Sequence, residues 1–236
     1  MNVTNLTIRD QEKISLDDIQ FSRENREILD QVLREHRHVA ELKKYNLPVD
    51  NKILLHGHSG CGKTTTAKAI ATALGKNIVI VNLSTLVSSR LGETAQNMQL
   101  VFEKAMREKS VLFLDEFDHI GKMRVTDDKD SGEIRRLVNS LIQQIDYLPA
   151  DTLLIAATNY PELIDGALLR RFQLKLKYEM PGVTELDAYY DKRLAVFPAH
   201  LTNIERQYGI SYAEARDYVN TAMKARIIEE LENGEM

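Results

Sequence analysis

The chain has one cysteine, no tryptophan and only five prolines in 236 residues. A single thiol excludes an internal disulfide and a zinc site built on cysteines. No apolar run approaches the roughly 20 residues that a membrane-spanning helix needs. The polar start, Met1 to Lys13, lacks the features of a secretory signal, so the expectation is a cytoplasmic protein with no membrane partner. An excess of basic charge is missing as well. The 31 Lys and Arg against 35 Asp and Glu give a net charge of −4 at pH 7, which argues against a globally basic nucleic-acid binder. What is present is an ordinary globular composition, 43% hydrophobic and 28% charged, long enough for one large α/β domain or one domain with a small appendage.

Apolar residues Ile28, Leu29, Val32, Leu33, Val39 and Ala40 recur at helical spacing, which predicts one amphipathic helix over about Arg23 to Tyr45, ended by Asn46 and Pro48. The pattern then alternates. Ile53–Leu55, Ile78–Val81, Val111–Leu114, Thr152–Ala156 and Leu174–Leu176 suit buried parallel strands. Helical runs over about Lys63–Leu74, Glu93–Glu108 and Glu133–Ile145 lie between them. Such alternation implies a doubly wound parallel sheet that binds ligands at the carboxyl ends of its strands. Val125 to Gly132 reads as a mobile loop. Past Met180-Pro181-Gly182 the strand signal stops, and helices are expected over Thr184–Val196, Pro198–Gln207 and Ser211–Leu231. The last opens on a capping box, Ser211-x-x-Glu214. The expected organisation is a polar segment over 1–13, an α/β body over 14–181 and a small all-helical lid over 182–236.

Gly57-His58-Ser59-Gly60-Cys61-Gly62-Lys63-Thr64 fits the phosphate-loop pattern G-x-x-x-x-G-K-[ST], with a strand before it and a helix after it. Glycines at 57, 60 and 62 admit backbone conformations that turn successive N–H groups inward around a phosphate, and the following helix aims its positive end at the same anion. Ser59, Gly60, Cys61, Gly62, Lys63, Thr64 and Thr65 are therefore the candidate triphosphate contacts. Lys63 is suited to the β- and γ-phosphates, and Thr64 to one position on Mg²⁺. Cys61 reads as a small loop residue or, alternatively, as a redox switch. A phosphate loop does not by itself separate a kinase from a GTPase or a motor. Val111 to Glu116 narrows the choice, because it is a buried strand ending in two acids at the same sheet edge. Asp115 is placed to hold Mg²⁺ through water, and Glu116 to orient water or take its proton, which favours ATP hydrolysis. His56, His58 and His119 flank these motifs with no spacing that demands a metal or proton relay.

These motifs, in this order, resemble the AAA family of ring-forming ATPases. Phe113 to Asp118 matches the family's Walker B motif. Ser15-Leu16-Asp17-Asp18-Ile19 is similar to its N-terminal motif beside the adenine pocket, which implies roles there for Asp18 and Ile19. Ala156-Ala157-Thr158-Asn159 looks like the sensor-1 strand end and implies a place for Asn159 near the γ-phosphate and the lytic water. Ile164 to Phe172 is similar to the segment that supplies arginine fingers to the neighbouring subunit. The family usually separates its two arginines by two residues. Here Arg170 and Arg171 are adjacent, and either is the candidate finger. Asn82 is a candidate restraint on Glu116, or simply a turn former.

The resemblance implies ATP and Mg²⁺ as ligands and a homo-oligomer, a hexameric ring or spiral, that acts on a protein substrate or partner effector. The family's pore loop usually carries an aromatic residue where this chain has Arg90. Lys122 and Arg124 lie in what would be a second pore-side loop. The few residues before Ile14 do not suffice for a substrate-recruiting domain, so recruitment is expected from the ATPase surface or a partner. The leading reading is an ATP-driven remodeller of proteins or protein complexes. The alternatives are a nucleic-acid-associated ATPase, with Arg90 and Lys122 on phosphates, and an assembly switch that controls a partner effector.

Overall fold

Residues 8–9, 12–84, 91–120 and 131–233 are described by the structure, a computed structural model. Five of its six strands fall on the short apolar runs, with ends shifted by one or two residues. The strands are β1 (Ile8–Arg9), β2 (Lys52–Gly57), β3 (Ile78–Asn82), β4 (Val111–Asp115), β5 (Leu153–Thr158) and β6 (Leu174–Tyr178). Continuous burial explains why these runs show no alternation: all six residues of β5 and the first four of β4 are buried, as strands covered on both faces must be. The sheet order is β1-β3-β4-β5-β2-β6. The β3, β4, β5 and β2 strands pair in parallel, and at the β6 edge the N–H of Gln173 donates to the carbonyl of Lys52 at 3.1 Å. The expected α/β parallel sheet with flanking helices is the fold that forms. The first strand was not foreseen. Within the segment read as merely polar, Ile8 and Arg9 pair antiparallel with Ile80 and Val79 and extend the sheet beyond β3.

The chain divides into two compact units, Met1–Gly57 with Lys63–Lys177, and His58–Gly62 with Tyr178–Met236. In the sheet unit the helices are α1 (Arg23–Arg37), α2 (Val39–Lys44), α3 (Lys63–Ala73), α4 (Leu91–Glu108), α5 (Ser131–Asp146) and the single turn α6 (Gly166–Leu169). Met98, Val101, Phe102 and Ala105 of α4 and Leu137, Val138, Leu141 and Ile145 of α5 fall at helical spacing and join Leu54, Val81, Leu112, Leu114 and Phe117 in one core. Each fully buried large side chain of this kind contributes about 1.5–3 kcal/mol. Ser131 and Gly132, read as loop, begin α5.

The single helix expected over Arg23–Tyr45 is two. His38 leaves helical geometry (φ −116°, ψ 18°). The turn before it is tied to the chain entering β2, since Glu35 Oε2 accepts the N–H of Asp50 at 3.1 Å and His36 Nε2 lies 3.2 Å from the Asp50 carbonyl. The chain resumes as α2, with the Glu41 and Leu42 N–H groups on the His38 carbonyl.

The second unit carries α7 (Val183–Leu194) and α8 (Tyr212–Asn233) around Leu186, Tyr190, Leu194, Leu201, Ala215, Val219 and Met223. The helix expected over Pro198–Gln207 is absent; apart from one 3₁₀ turn, Ala199–Leu201, the segment has no regular structure. Side chains take up its carbonyls in place of a helical ladder. Arg226 donates to Leu201 and Asn203, Tyr218 to Glu205 and Tyr190 to Gln207. Arg206 pairs with Asp187 and Asp191. With the carbonyls of Leu201, Asn203, Glu205 and Gln207 taken up in this way, the segment holds an irregular path without a helical ladder.

The capping box forms as its spacing predicts. Ser211 N–H donates to Glu214 Oε2 at 2.7 Å, and Glu214 N–H donates to Ser211 Oγ at 3.3 Å. Ser211→Ala is expected to cost about 1 kcal/mol of stability. Urea unfolding followed by circular dichroism should show this as a lower midpoint at unchanged m value.

Candidate functional site

Parallel register decides which residues meet at the sheet edge. Asn82 pairs with Asp115, Leu114 with Ala156 and His56 with Thr158. The strands β2, β3, β4 and β5 therefore end together, and Gly57, Asn82, Asp115 and Thr158 close them on one edge. Gly57 (φ 124°), Gly60 (φ 72°) and Gly62 (φ 100°) hold the left-handed conformations that the loop sequence calls for. Lys63 is 9% exposed, and its ammonium donates to the Gly57 carbonyl at 2.8 Å. The Thr64 hydroxyl donates to Asp115 Oδ2 at 3.2 Å, joining the start of α3 to the end of β4. Thr65 follows on α3, half-buried.

The loop residues His58–Gly62 group with the helical unit. Ala213 N–H donates to the Gly60 carbonyl and His58 N–H to that of Tyr178, each at 3.0 Å. A Cβ on Gly60 would lie 2.5 Å from Ser211 Oγ and 2.9 Å from its Cβ, so only glycine fits there. Ser59 is exposed. Cys61 is buried, and its thiol donates to the Ser59 carbonyl at 3.6 Å.

Glu116, next after β4, takes φ 55°, a conformation that costs a non-glycine residue about 1–2 kcal/mol. Its surroundings hold it there. The Glu116 N–H donates to Asp115 Oδ1 at 2.9 Å, the Phe117 N–H to the Ala157 carbonyl at 2.8 Å, and the Thr158 hydroxyl to the buried Asp118 at 2.8 Å. Strained backbone of this kind clusters at reaction centres. Asn159 is exposed directly after β5. Asn82 uses its side-chain oxygen to accept from the N–H (2.8 Å) and hydroxyl (2.6 Å) of Ser84, the bonding of a turn former.

The adjacent arginines are not equivalent. Arg171 grips Asp146 with Nε and Nη2 at 3.2 and 3.3 Å and donates Nη1 to the Ala167 carbonyl at 3.0 Å. Arg170 is exposed, and among the described residues only its Nε is engaged, on the Gly166 carbonyl at 3.1 Å. The next residue, Phe172, is 3% exposed and meets Phe117 edge to face at 5.5 Å. Asp18 and Ile19 end a 3₁₀ turn, Leu16–Asp18, whose Ser15 cap accepts from the Asp17 N–H. A pocket of about 460 Å³ beside it is lined by Ser15, Leu16, Asp17, Arg37 and Ala73, and neither Asp18 nor Ile19 lines it. Arg90, Lys122 and Arg124 lie outside the described residues. The sequence reading passed over two contacts, Asp146 on Arg171 and His119 beside Glu116. The second was signalled by an i,i+3 spacing.

Burial raises the Asp115 carboxyl above its ordinary value, with the Glu116 charge adding to the rise; the Glu116 N–H, the Thr64 hydroxyl and Lys63 oppose it. Burial, with Lys177, Lys175 and Lys63, lowers His56 and favours its neutral form. A half-buried carboxylate beside a hydroxyl is a fitting pair of ligands for Mg²⁺, which binds through one or two protein oxygens plus phosphates and water. Among the described residues no group of three or more His, Cys, Asp and Glu is placed to hold a metal on its own. With its native pKa raised, ionised Asp115 destabilises the nucleotide-free protein, increasingly as pH rises from the unfolded value through the native one. Asp115→Asn should therefore raise the melting temperature of nucleotide-free protein at pH 7. The gain should vanish once pH falls below the ordinary carboxylate value of 3.8. Thermal melts of both proteins across pH check it.

Among the described residues no helix is long and apolar enough to cross a membrane. A model of the ATPase family associated with various cellular activities (AAA) matches residues 53–180, more than half of the chain. An uncharacterized AAA family ATPase of Sinorhizobium fredii is 37% identical over 90% of this chain and 65% of its own length. The 26S proteasome subunit RPT4 of Saccharomyces cerevisiae is 32% identical over 86% of this chain and 47% of its own. The peroxisomal ATPase PEX1 of the same yeast is 40% identical over 50% of this chain and 11% of its own. The chain thus spans about half to two thirds of the first two relatives and a small part of the third. The matched stretch opens on β2, takes in the phosphate loop, the paired acids and both arginines, and ends just past β6: this chain belongs to the AAA family.

Proposed function

We propose that the chain is the ATP-hydrolysing subunit of a homo-oligomer that remodels proteins or protein complexes. The observation that carries the reading is the meeting of Thr64 and Asp115 at 3.2 Å, with the Lys63 ammonium on Gly57 and Glu116 next along the same strand end. The names of two relatives, a proteasome subunit and a peroxisomal ATPase, support the protein-directed part.

In this reading the N–H groups of Ser59 to Thr65 and the Lys63 ammonium hold the triphosphate, with Asp18 and Ile19 toward the base. Thr64 and Asp115 would hold Mg²⁺, which would supply charge neutralisation at the phosphates. Glu116 orients the attacking water and accepts its proton, and Asn159 addresses the same water and the γ-phosphate. Arg170 of one subunit stabilises the charge that develops in its neighbour's site, because Arg171 is spent on Asp146 while Arg170 stays exposed. Domain limits near 14–181 and 182–236 put the catalytic side chains in the first part and a lid in the second.

Glu116→Gln should bind ATP and lose about 10²–10⁴-fold in turnover, the usual worth of general-base catalysis; parental turnover would remove Glu116 from its role. Arg170→Ala should also be inactive alone. Mixing the two inactive proteins should restore activity, because the first donates Arg170 to the intact Glu116 of the second. A mixture as dead as its components would sink the shared site. Arg171→Ala should keep turnover and lose at most about 1 kcal/mol of stability, as a surface ion pair does.

A further inference from the structure

Glu116 has a second partner besides its own backbone turn. Its carbonyl accepts the N–H of His119 at 2.9 Å, and in that same turn its Oε2 lies 3.5 Å from His119 Nε2. Among the described residues Oε1 meets no hydrogen-bond or ion-pair partner. Two neighbouring strand ends already spend their side-chain oxygens elsewhere. Asp115 spends one oxygen on the Thr64 hydroxyl and one on the Glu116 N–H, and Asn82 gives its side-chain oxygen to Ser84. The imidazole also rises from a fixed base: Phe117 and Ile120 are buried, and Asp118 is locked on Thr158.

We infer that His119 is a positioning residue, which anchors one oxygen of the Glu116 carboxylate through Nε2 and leaves the other to meet water. The inference rests on the reading of Glu116 as the water-activating group. The Glu116 side chain is 43% exposed, so without an anchor it samples rotamers that point away from the reacting water. An imidazole three residues on, in the same turn, selects among them. The 3.5 Å separation is slightly longer than a formed hydrogen bond, as such contacts often are before substrate arrives.

The test is steady-state ATP hydrolysis by the assembled protein and its His119→Ala, His119→Gln, Glu116→Gln and doubly substituted variants. His119→Ala should lower kcat about three- to tenfold, the kinetic equivalent of one net hydrogen bond, with KM for ATP within about twofold. His119→Gln, whose amide nitrogen reaches close to the place of Nε2, should recover most of that loss. On a Glu116→Gln background His119→Ala should change nothing further, because its effect passes through the carboxylate. Parental kcat in His119→Ala, a rise in KM at constant kcat, a loss that His119→Gln fails to recover, or full additivity with Glu116→Gln would each overturn the inference. If Glu116→Gln itself turned over at the parental rate, the functional reading would fail first. An inactive Glu116→Gln beside an unaffected His119→Ala would sink the His119 role alone.

Discussion

Four parallel strands, hydrogen-bonded in one register, stop at the same edge, and that common ending brings Asn82, Asp115, Glu116 and Asn159 of the candidate site together beside the start of α3. A slip of one residue between β4 and β5 would turn Leu112 and Leu114 away from the core they fill with Leu54, Leu154 and Ala156 and bring Val111 and Phe113, buried on the opposite face, in their place. It would also move Asp115 by about 3.3 Å along the strand, enough to part it from Thr64. The apolar filling of β4 and β5 therefore does more than stabilise the sheet. It enforces the register, and the register sets the distance between the end of β4 and the start of α3.

Against this apolar frame the candidate site keeps groups that a frame alone would reject. Lys63 is nearly buried, Asp115 is held against the preference of its burial, and Glu116 occupies a left-handed conformation. Each is tolerated because neighbouring bonds over-determine it: Gly57 for the ammonium, Thr64 and the Glu116 N–H for the carboxylate, Ala157 and Thr158 for the turn beyond. Local cost met by surrounding packing is the ordinary signature of a place kept for chemistry.

Much of this was legible in the residues. The strands announced themselves as short β-branched and leucine-rich runs, and the loop glycines fall at the positions that need positive φ. Ser211 and Glu214 marked their cap by spacing alone. Three elements were not legible. Ile8 and Arg9 are too short a stretch for any period to show, and their strand exists because β3 offers an edge. His38 breaks a helix whose apolar spacing runs straight through it, for the contact that turns the chain is with Asp50, distant in sequence. The 198–207 segment has a helix-like pattern, yet Tyr190, Tyr218 and Arg226 reach its carbonyls from other elements. In the candidate site, adjacency hid the difference between Arg170 and Arg171, which only the position of Asp146 reveals. His119 carried no motif, and its i,i+3 spacing from Glu116 matters only because both residues lie in one turn after β4.

The edge-to-face pair of Phe117 and Phe172 has one further consequence. One ring follows the carboxylate read as serving the subunit's own nucleotide, and the other follows the arginines, one of which is read as serving the nucleotide next door. On the proposed reading, reaction centres in two molecules would share this single aromatic mount. Any drift in the size or tilt of either ring would be felt on both sides of a subunit boundary, so the two positions are expected to change in concert across descendants of this chain.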